Sequence, residues 1–227
     1  NENISNWPNE IALGFRAAMP LLEIKLATQS HQGGKTLAQW QEKLSDLLGD
    51  HILTSGKSDK KNLAEYLVPL LIQSKHSIVV AESCTGGLIA SQITAISGAS
   101  AIFEAGFITY SNQMKSKILD VPPATLISHG AVSKETVLAM ARGALAKSNA
   151  DYAIAVSGIA GPNGGTTDKP VGSVWIAWGT KQKLHAKYYC IPLARQHFQH
   201  VVAARSLDLI RRMLIESKES PNYDRAN

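Results

Sequence analysis

Two hydrophobic rhythms alternate along most of this chain. Short, nearly continuous apolar runs occur in "SIVVAE" (77–82), "AIFEAGFITY" (101–110), "DYAIAVS" (151–157), "GSVWIAWGT" (172–180) and "KLHAKYYCI" (183–191). Such runs suit strands buried in a sheet. Between them, apolar residues recur every three or four positions, which predicts helices. These are "SDKKNLAEYLVPLLIQSKH" (58–76), "GGLIASQITAI" (86–96), "SNQMKSKILD" (111–120), "SKETVLAMARGALAKSN" (133–149) and "ARQHFQHVVAARSLDLIRRMLIE" (194–216). The first places Leu63, Leu67, Leu70 and Leu71 on one face, with Ser58 or Asp59 as cap and Pro69 as a possible kink. Strands alternating with helices, then a closing strand pair, predict an α/β fold: a three-layer α/β/α sandwich with a mixed sheet.

The rhythm differs before residue 56. "IALGF" and "LLEIKLA" alternate like half-buried strands, with Leu22, Ile24 and Leu26 on one face. A helix follows in "GGKTLAQWQEKLSDLLGD", with Thr36 as candidate N-cap and Leu37, Trp40, Leu44, Leu47 and Leu48 at helical spacing. "HILTSG" is expected to return as a strand. The sandwich is therefore preceded by a small α+β domain, a ββαβ unit over 1–56. "SGKSDKKN" reads as a linker, residues 57–220 as the main domain, and 221–227 as a tail. "QGGK" resembles the glycine loop of KH-type RNA modules, making the first unit KH-like, but two glycines do not amount to an RNA site.

Composition narrows the function classes. At 227 residues, 44% hydrophobic and 18% charged, the chain can bury a sizeable core. No apolar run reaches the roughly 18 residues of a membrane helix, and no membrane role is expected. "NENISNWPNE" has no basic or apolar leader segment, and its lack of Met is what a fragment or processed chain would show. Two cysteines, Cys84 and Cys190, make neither a disulfide framework nor a zinc site, so a reducing, cytoplasmic setting is expected. The net charge of +5 is modest. Lys60–Lys61 and Arg211–Arg212 read as solvated helix faces, and no nucleic-acid partner is expected.

Three polar, glycine-rich junctions follow the apolar strands: "ESCTGG" (82–87), "TYSNQMK" (109–115) and "SGIAGPNGG" (157–165). Ligands of open α/β sheets bind beyond the carboxyl ends of strands, where such junctions collect. In the first, Gly86 and Gly87 permit tight turns and present N–H groups at a helix start, suited to a phosphate or an oxyanion. Ser83 and Cys84 are both possible nucleophiles, and Ser83 and Thr85 could equally be capping groups. The order fits neither GxxxxGK[ST] nor GxSxG. In the second junction, Lys115 sits near a helix start, where burial and the dipole would favour a neutral amine able to act as a base. The third carries Gly158, Gly161, Gly164, Gly165 and Gly172 with Pro162 and Pro170, either an anion-binding loop or a flexible connection. His197 and His200 share a helix face but lack a clustered carboxylate, so no metal site is assigned.

Taken in order, "VVAESCTGGLIASQIT", "SGASAIFEAGFITYSNQMKSKIL", "HGAVSKETVLAMARGAL", "ADYAIAVSGIAGPNGG" and "KPVGSVWIAW" resemble the C-terminal domain of CinA proteins. That domain also occurs alone as nicotinamide mononucleotide deamidase (nicotinamide-nucleotide amidohydrolase). The resemblance runs from about residue 60 to 215, and residues 1–56 resemble the middle segment of full-length CinA. The molybdopterin-binding-like domain linked to ADP-ribose pyrophosphatase activity has no counterpart in these residues, so neither that activity nor a metal or other cofactor is expected.

The resemblance implies a serine/lysine amidohydrolase with Ser83 as nucleophile, Lys115 as base and Tyr110 assisting. Its implied product is nicotinate mononucleotide. Residues 84–87 (Cys84, Thr85, Gly86, Gly87), Asn112, Ser157, Gly158, Gly161, Gly165 and Arg195 are the expected substrate contacts. The phosphate is expected on the "SGIAGPNGG" loop or on the start of the 86–96 helix. A homo-oligomer is implied as well. One departure stands out: before the last helix Arg195 matches the first of two expected arginines, but Gln199 occupies the second position. That leaves an alternative, a catalytically silent nucleotide-binding or regulatory module in competence or DNA-damage responses.

Overall fold

The computed structural model describes residues 7–29, 33–56 and 62–224 and divides into two compact units. The smaller comprises Asn1–Lys61 with Ser217–Asn227, the larger Asn62–Glu216. The proposed cap Ser58 or Asp59, the Lys60–Lys61 pair and part of "QGGK" lie outside the described residues.

In the smaller unit, β1 (Ile11–Ala18) pairs antiparallel with β2 (Leu21–Thr28), and α1 spans Gly33–Leu48. Both glycines enter the first turn of α1, so Thr36 lies inside the helix rather than capping it. "HILTSG" forms no strand. Gly49 at φ +49° opens a 3-10 turn, Gly49–His51, and the two apolar residues after it are too few to alternate. The Asp50 N–H donates to the Glu219 carboxylate at 3.1 Å within this unit.

The larger unit holds a five-stranded mixed sheet of β3 (Ile78–Glu82), β4 (Phe103–Ile108), β5 (Tyr152–Gly158), β6 (Ser173–Thr180) and β7 (Leu184–Cys190), in the order β4-β3-β5-β6-β7. The first three are parallel, and β6 and β7 add antiparallel. α2 (Ala64–Ser74), α3 (Leu88–Thr94) and α7 (Arg195–Leu214) form one layer. α4 (Asn112–Leu119), α5 (Pro123–His129) and α6 (Lys134–Ala146) form the other. α5 lies in "VPPATLISHG", too short and proline-led for a helical period to be read; Pro122 and Pro123 set its start.

Strand alternation assigns the two sheet faces. Val79, Ala81, Ala153, Ala155 and Ala177 meet Val137, Met140, Ala141 and Ala144 of α6. The small side chains let that helix approach closely. Bulkier Val80, Ile154, Val156 and Ile176 face the opposite layer, and all are fully buried. α2 begins with a capping box: the Asn62 side-chain oxygen accepts from the N–H groups of Ala64 and Glu65, while Glu65 accepts from Asn62 N–H. Among the described residues no helix is long and apolar enough to cross a membrane. Arg211 and Arg212 are not solvated: both are buried and share the Asp208 carboxylate at 2.7–2.8 Å.

Candidate active site

The connection leaving β3 runs through α3 in one layer to β4, while the one leaving β4 runs through α4–α6 in the other layer and crosses β3 to reach β5. Crevices form at such a switch point. Ser83 is the first residue beyond β3, and its N–H prolongs the sheet by donating to Val156 O at 3.1 Å. The turn after it closes when Gly86 N–H donates to Ser83 O. Gly86 and Gly87 then take φ of +63° and +100°, values that favour glycine, to swing the chain into α3.

Lys115 comes from α4, which Ser111 caps by accepting from Met114 N–H. The lysine is 1% exposed. Its Nζ lies 3.0 Å from Ser83 Oγ, 2.9 Å from Thr109 O and 3.3 Å from Tyr110 O. No carboxylate pairs with it among the described residues. Burial holds its pKa below the ordinary 10.5. The two carbonyls can only accept; once Lys115 is neutral, they take its two N–H groups and the lone pair is left for the serine hydroxyl. Cys84 differs. Burial pushes its thiol up to about 12, so it stays protonated and is a poor nucleophile.

Glu82, which sequence reasoning passed over, organises this turn. The fully buried carboxylate accepts from the N–H groups of Gly87 at 3.0 Å, Ile89 at 3.1 Å and Ala90 at 2.8 Å. The signal was a charged residue ending an apolar strand just before a Gly–Gly helix start. The start of α3 is therefore already occupied by an anion, which corrects the expectation that it could hold phosphate. Gly86 and Gly87 likewise have no spare N–H. Among the described residues, the Thr85 N–H has no partner in the turn and the Cys84 N–H meets only its own sulfur. The Thr85 and Thr109 hydroxyls are buried without a partner.

Tyr110 supports Lys115 through its backbone carbonyl, while its phenol accepts from Arg195 Nη2 at 2.8 Å and contacts neither Ser83 nor Lys115. Arg195 also donates from Nη1 to Gly161 O at 3.1 Å. Four residues on, Gln199 Nε2 donates to Cys84 O at 2.8 Å. One face of α7 thus links all three junctions. Ser157, Gly158 and Gly165 are held within the framework around these junctions. Ser157 donates to Ala131 O, and a Cβ on Gly158 would meet Ser173 O at 2.7 Å. A Cβ on Gly165 would meet Val171 N at 2.8 Å. Asn112 opens α4 with an exposed side chain and no hydrogen bond to the other candidates.

Residues 60–214 match the family model of the CinA C-terminal domain. A CinA-like protein of Colwellia psychrerythraea is 51% identical over 98% of this chain and 52% of its own length. One from Shewanella piezotolerans is 43% identical over 95% and 50%. The chain therefore spans about half the length of these curated relatives. Among solved structures, the competence/damage inducible protein CihA from Agrobacterium tumefaciens is similar at a TM-score of 0.65 and 38% identity, covering 67% of this chain and 93% of its own. The competence damage-inducible protein A of Klebsiella pneumoniae gives 0.65 and 34%, covering 69% and 99%. A sandwich built on these three junctions, matched by sequence and by fold, belongs to the CinA family through its C-terminal domain.

Proposed function

We propose that this chain hydrolyses the carboxamide of nicotinamide mononucleotide, giving nicotinate mononucleotide and ammonia, with Ser83 as nucleophile and Lys115 as general base. The observation that carries the reading is the 3.0 Å approach of a buried, unpaired lysine to Ser83 Oγ, with two carbonyls occupying its N–H groups. Lys115 takes the hydroxyl proton as Oγ bonds to the amide carbon, and the carbonyl π pair moves onto oxygen. The N–H groups of Cys84 and Thr85 are the donors proposed for that oxyanion. Collapse breaks the C–N bond, and the departing nitrogen takes the proton from Lys115 to leave as ammonia. The neutral lysine then deprotonates a water that attacks the nicotinoyl ester. Cleavage of the ester returns the proton to Ser83.

The choice of an anionic nucleotide is supported by Arg195, which has no carboxylate partner among the described residues and spans the second and third junctions. Purified chain incubated with nicotinamide mononucleotide should release one ammonia per nicotinate mononucleotide, and Ser83→Ala should release none. Binding without turnover by the wild type would instead identify a catalytically silent module. Arg195→Ala is expected to raise KM about tenfold to a hundredfold, the loss of one charge-assisted contact, with a smaller change in kcat. An unchanged KM in steady-state kinetics would move the phosphate elsewhere.

A further inference from the structure

Gln199 stands where the family pattern leads one to expect an arginine, and its half-buried side chain points to the nucleophile turn. Its amide donates to the carbonyl of Cys84 at 2.8 Å. That carbonyl belongs to a particular peptide. Ser83 to Gly86 form a β-turn closed by Gly86 N–H on Ser83 O, and Cys84 and Thr85 are its two central residues. The peptide joining the central residues is the one whose rotation by about 180° distinguishes type I from type II turns. It is the least constrained unit of the turn, because the closing hydrogen bond survives either orientation. Everything around it is fixed. Ser83 N–H is held by Val156 O, and Gly87, Ile89 and Ala90 by Glu82.

A trans peptide is planar, with its C=O and N–H pointing in opposite directions. A donor that holds the Cys84 carbonyl toward α7 therefore aims the Thr85 N–H away from α7. That N–H has no partner among the described residues. We infer that Gln199 is a positioning residue: it locks the central peptide of the nucleophile turn so that Thr85 N–H is presented to the developing oxyanion. The inference rests on the amidohydrolase reading of Ser83 and Lys115. It assigns the glutamine in the second arginine position to a task inside the site, independent of phosphate binding. The i, i+4 spacing with Arg195 makes this coherent, since one helix face then addresses the substrate loop and the nucleophile turn together.

A locked oxyanion donor acts on the transition state and leaves substrate binding nearly unchanged, so the two kinetic constants separate. Gln199→Leu, close in size but without a donor, should lower kcat about tenfold to a hundredfold, with KM within about twofold. Gln199→Glu removes the same donor and provides the comparison if the leucine variant does not fold, as judged by circular dichroism and thermal melting. Gln199→Arg restores a donor and should recover kcat to within about threefold of wild type. A wild-type kcat in both donor-less variants, a loss confined to KM, or no recovery in Gln199→Arg overturns the inference.

A second readout separates this from the choice of substrate. A fluorophosphonate probe phosphonylates an activated serine through a transition state that also places negative charge on oxygen, whatever the natural amide. If the wild type ignores nicotinamide mononucleotide but labels at Ser83, and Gln199→Leu labels at least tenfold more slowly, the substrate reading fails while the positioning role holds. Equal labelling rates overturn the positioning role. A wild type that neither turns over the nucleotide nor labels overturns both.

Discussion

Replacing Lys115 by methionine is expected to cut kcat/KM for ammonia release by about 10³-fold or more while the chain still folds. General-base assistance contributes about 10² to 10⁴ in rate, and no other base contacts Ser83 Oγ among the described residues. Methionine fills a similar volume in a site where the lysine is 1% exposed, and it removes an amine whose charged form burial already disfavours. Two pH signatures should accompany the loss. The wild-type rate should rise with pH as Lys115 loses its proton, at a pKa below the ordinary 10.5, and Lys115→Met should lack that limb. Stability should respond in the same sense. Between the lowered folded value and 10.5, the unfolded chain binds a proton that the folded chain does not, so unfolding free energy increases with pH across that window. Urea unfolding at several pH values should show that slope in the wild type and a flatter one in the variant. A Lys115→Met protein with the wild-type pH–rate profile would end the assignment of the base.

Glu82→Leu should be the most damaging substitution for the architecture of the site. It removes the fully buried carboxylate that accepts from the N–H groups of Gly87, Ile89 and Ala90, leaving the buried Ile89 and half-buried Gly87 and Ala90 groups without that partner. Each orphaned group costs about 1–3 kcal/mol, and the anion's favourable placement at the start of α3 disappears as well. A loss of about 3 kcal/mol or more is expected, which for a unit of this size is about 10 °C in melting temperature. Glu82→Gln should fall between wild type and leucine. Its amide oxygen can keep the two bonds now made to Oε2, but its NH₂ then faces the Ala90 N–H. Ammonia release should fall in the same order, since the turn carrying Ser83 is anchored by this carboxylate. Equal melting temperatures for all three proteins would show that Glu82 carries no such load.

Lys115 and Glu82 mark two degrees of legibility. The lysine was visible because a cation near a predicted helix start is anomalous, and its match to the family motif supplied a role. Glu82 was on the page in "ESCTGG" but had no periodic or motif signal, because its partners are backbone N–H groups that carry no residue identity. Gln199 stands out in the sequence, but its role does not. The pattern marks it only as a departure from the second expected arginine, whereas its partner, the Cys84 carbonyl, lies 115 positions away. Arg211 and Arg212 read as surface charge for a different reason: their partner Asp208 is only one turn away on α7, but their burial is set by what packs over that face of the helix.

The strands and main helices of the larger unit follow from local chemistry. Apolar runs, helical periods and glycine junctions are short-range properties, written within a few residues of where they act. The three junctions that could hold chemistry were legible on the same basis. What only the tertiary structure decided is which groups meet there. It brought Lys115 to Ser83, turned the Cys84 thiol into buried packing, gave the start of α3 to Glu82, and set Arg195 and Gln199 on the loops of three different strands. The Glu82 contacts close within five to eight residues. The contacts of Lys115, Arg195 and Gln199 close over tens of residues or more, and their direction depends on sheet order and helix placement. Local sequence specifies the candidates, but the crossing of the chain at β3 determines which of them face one another.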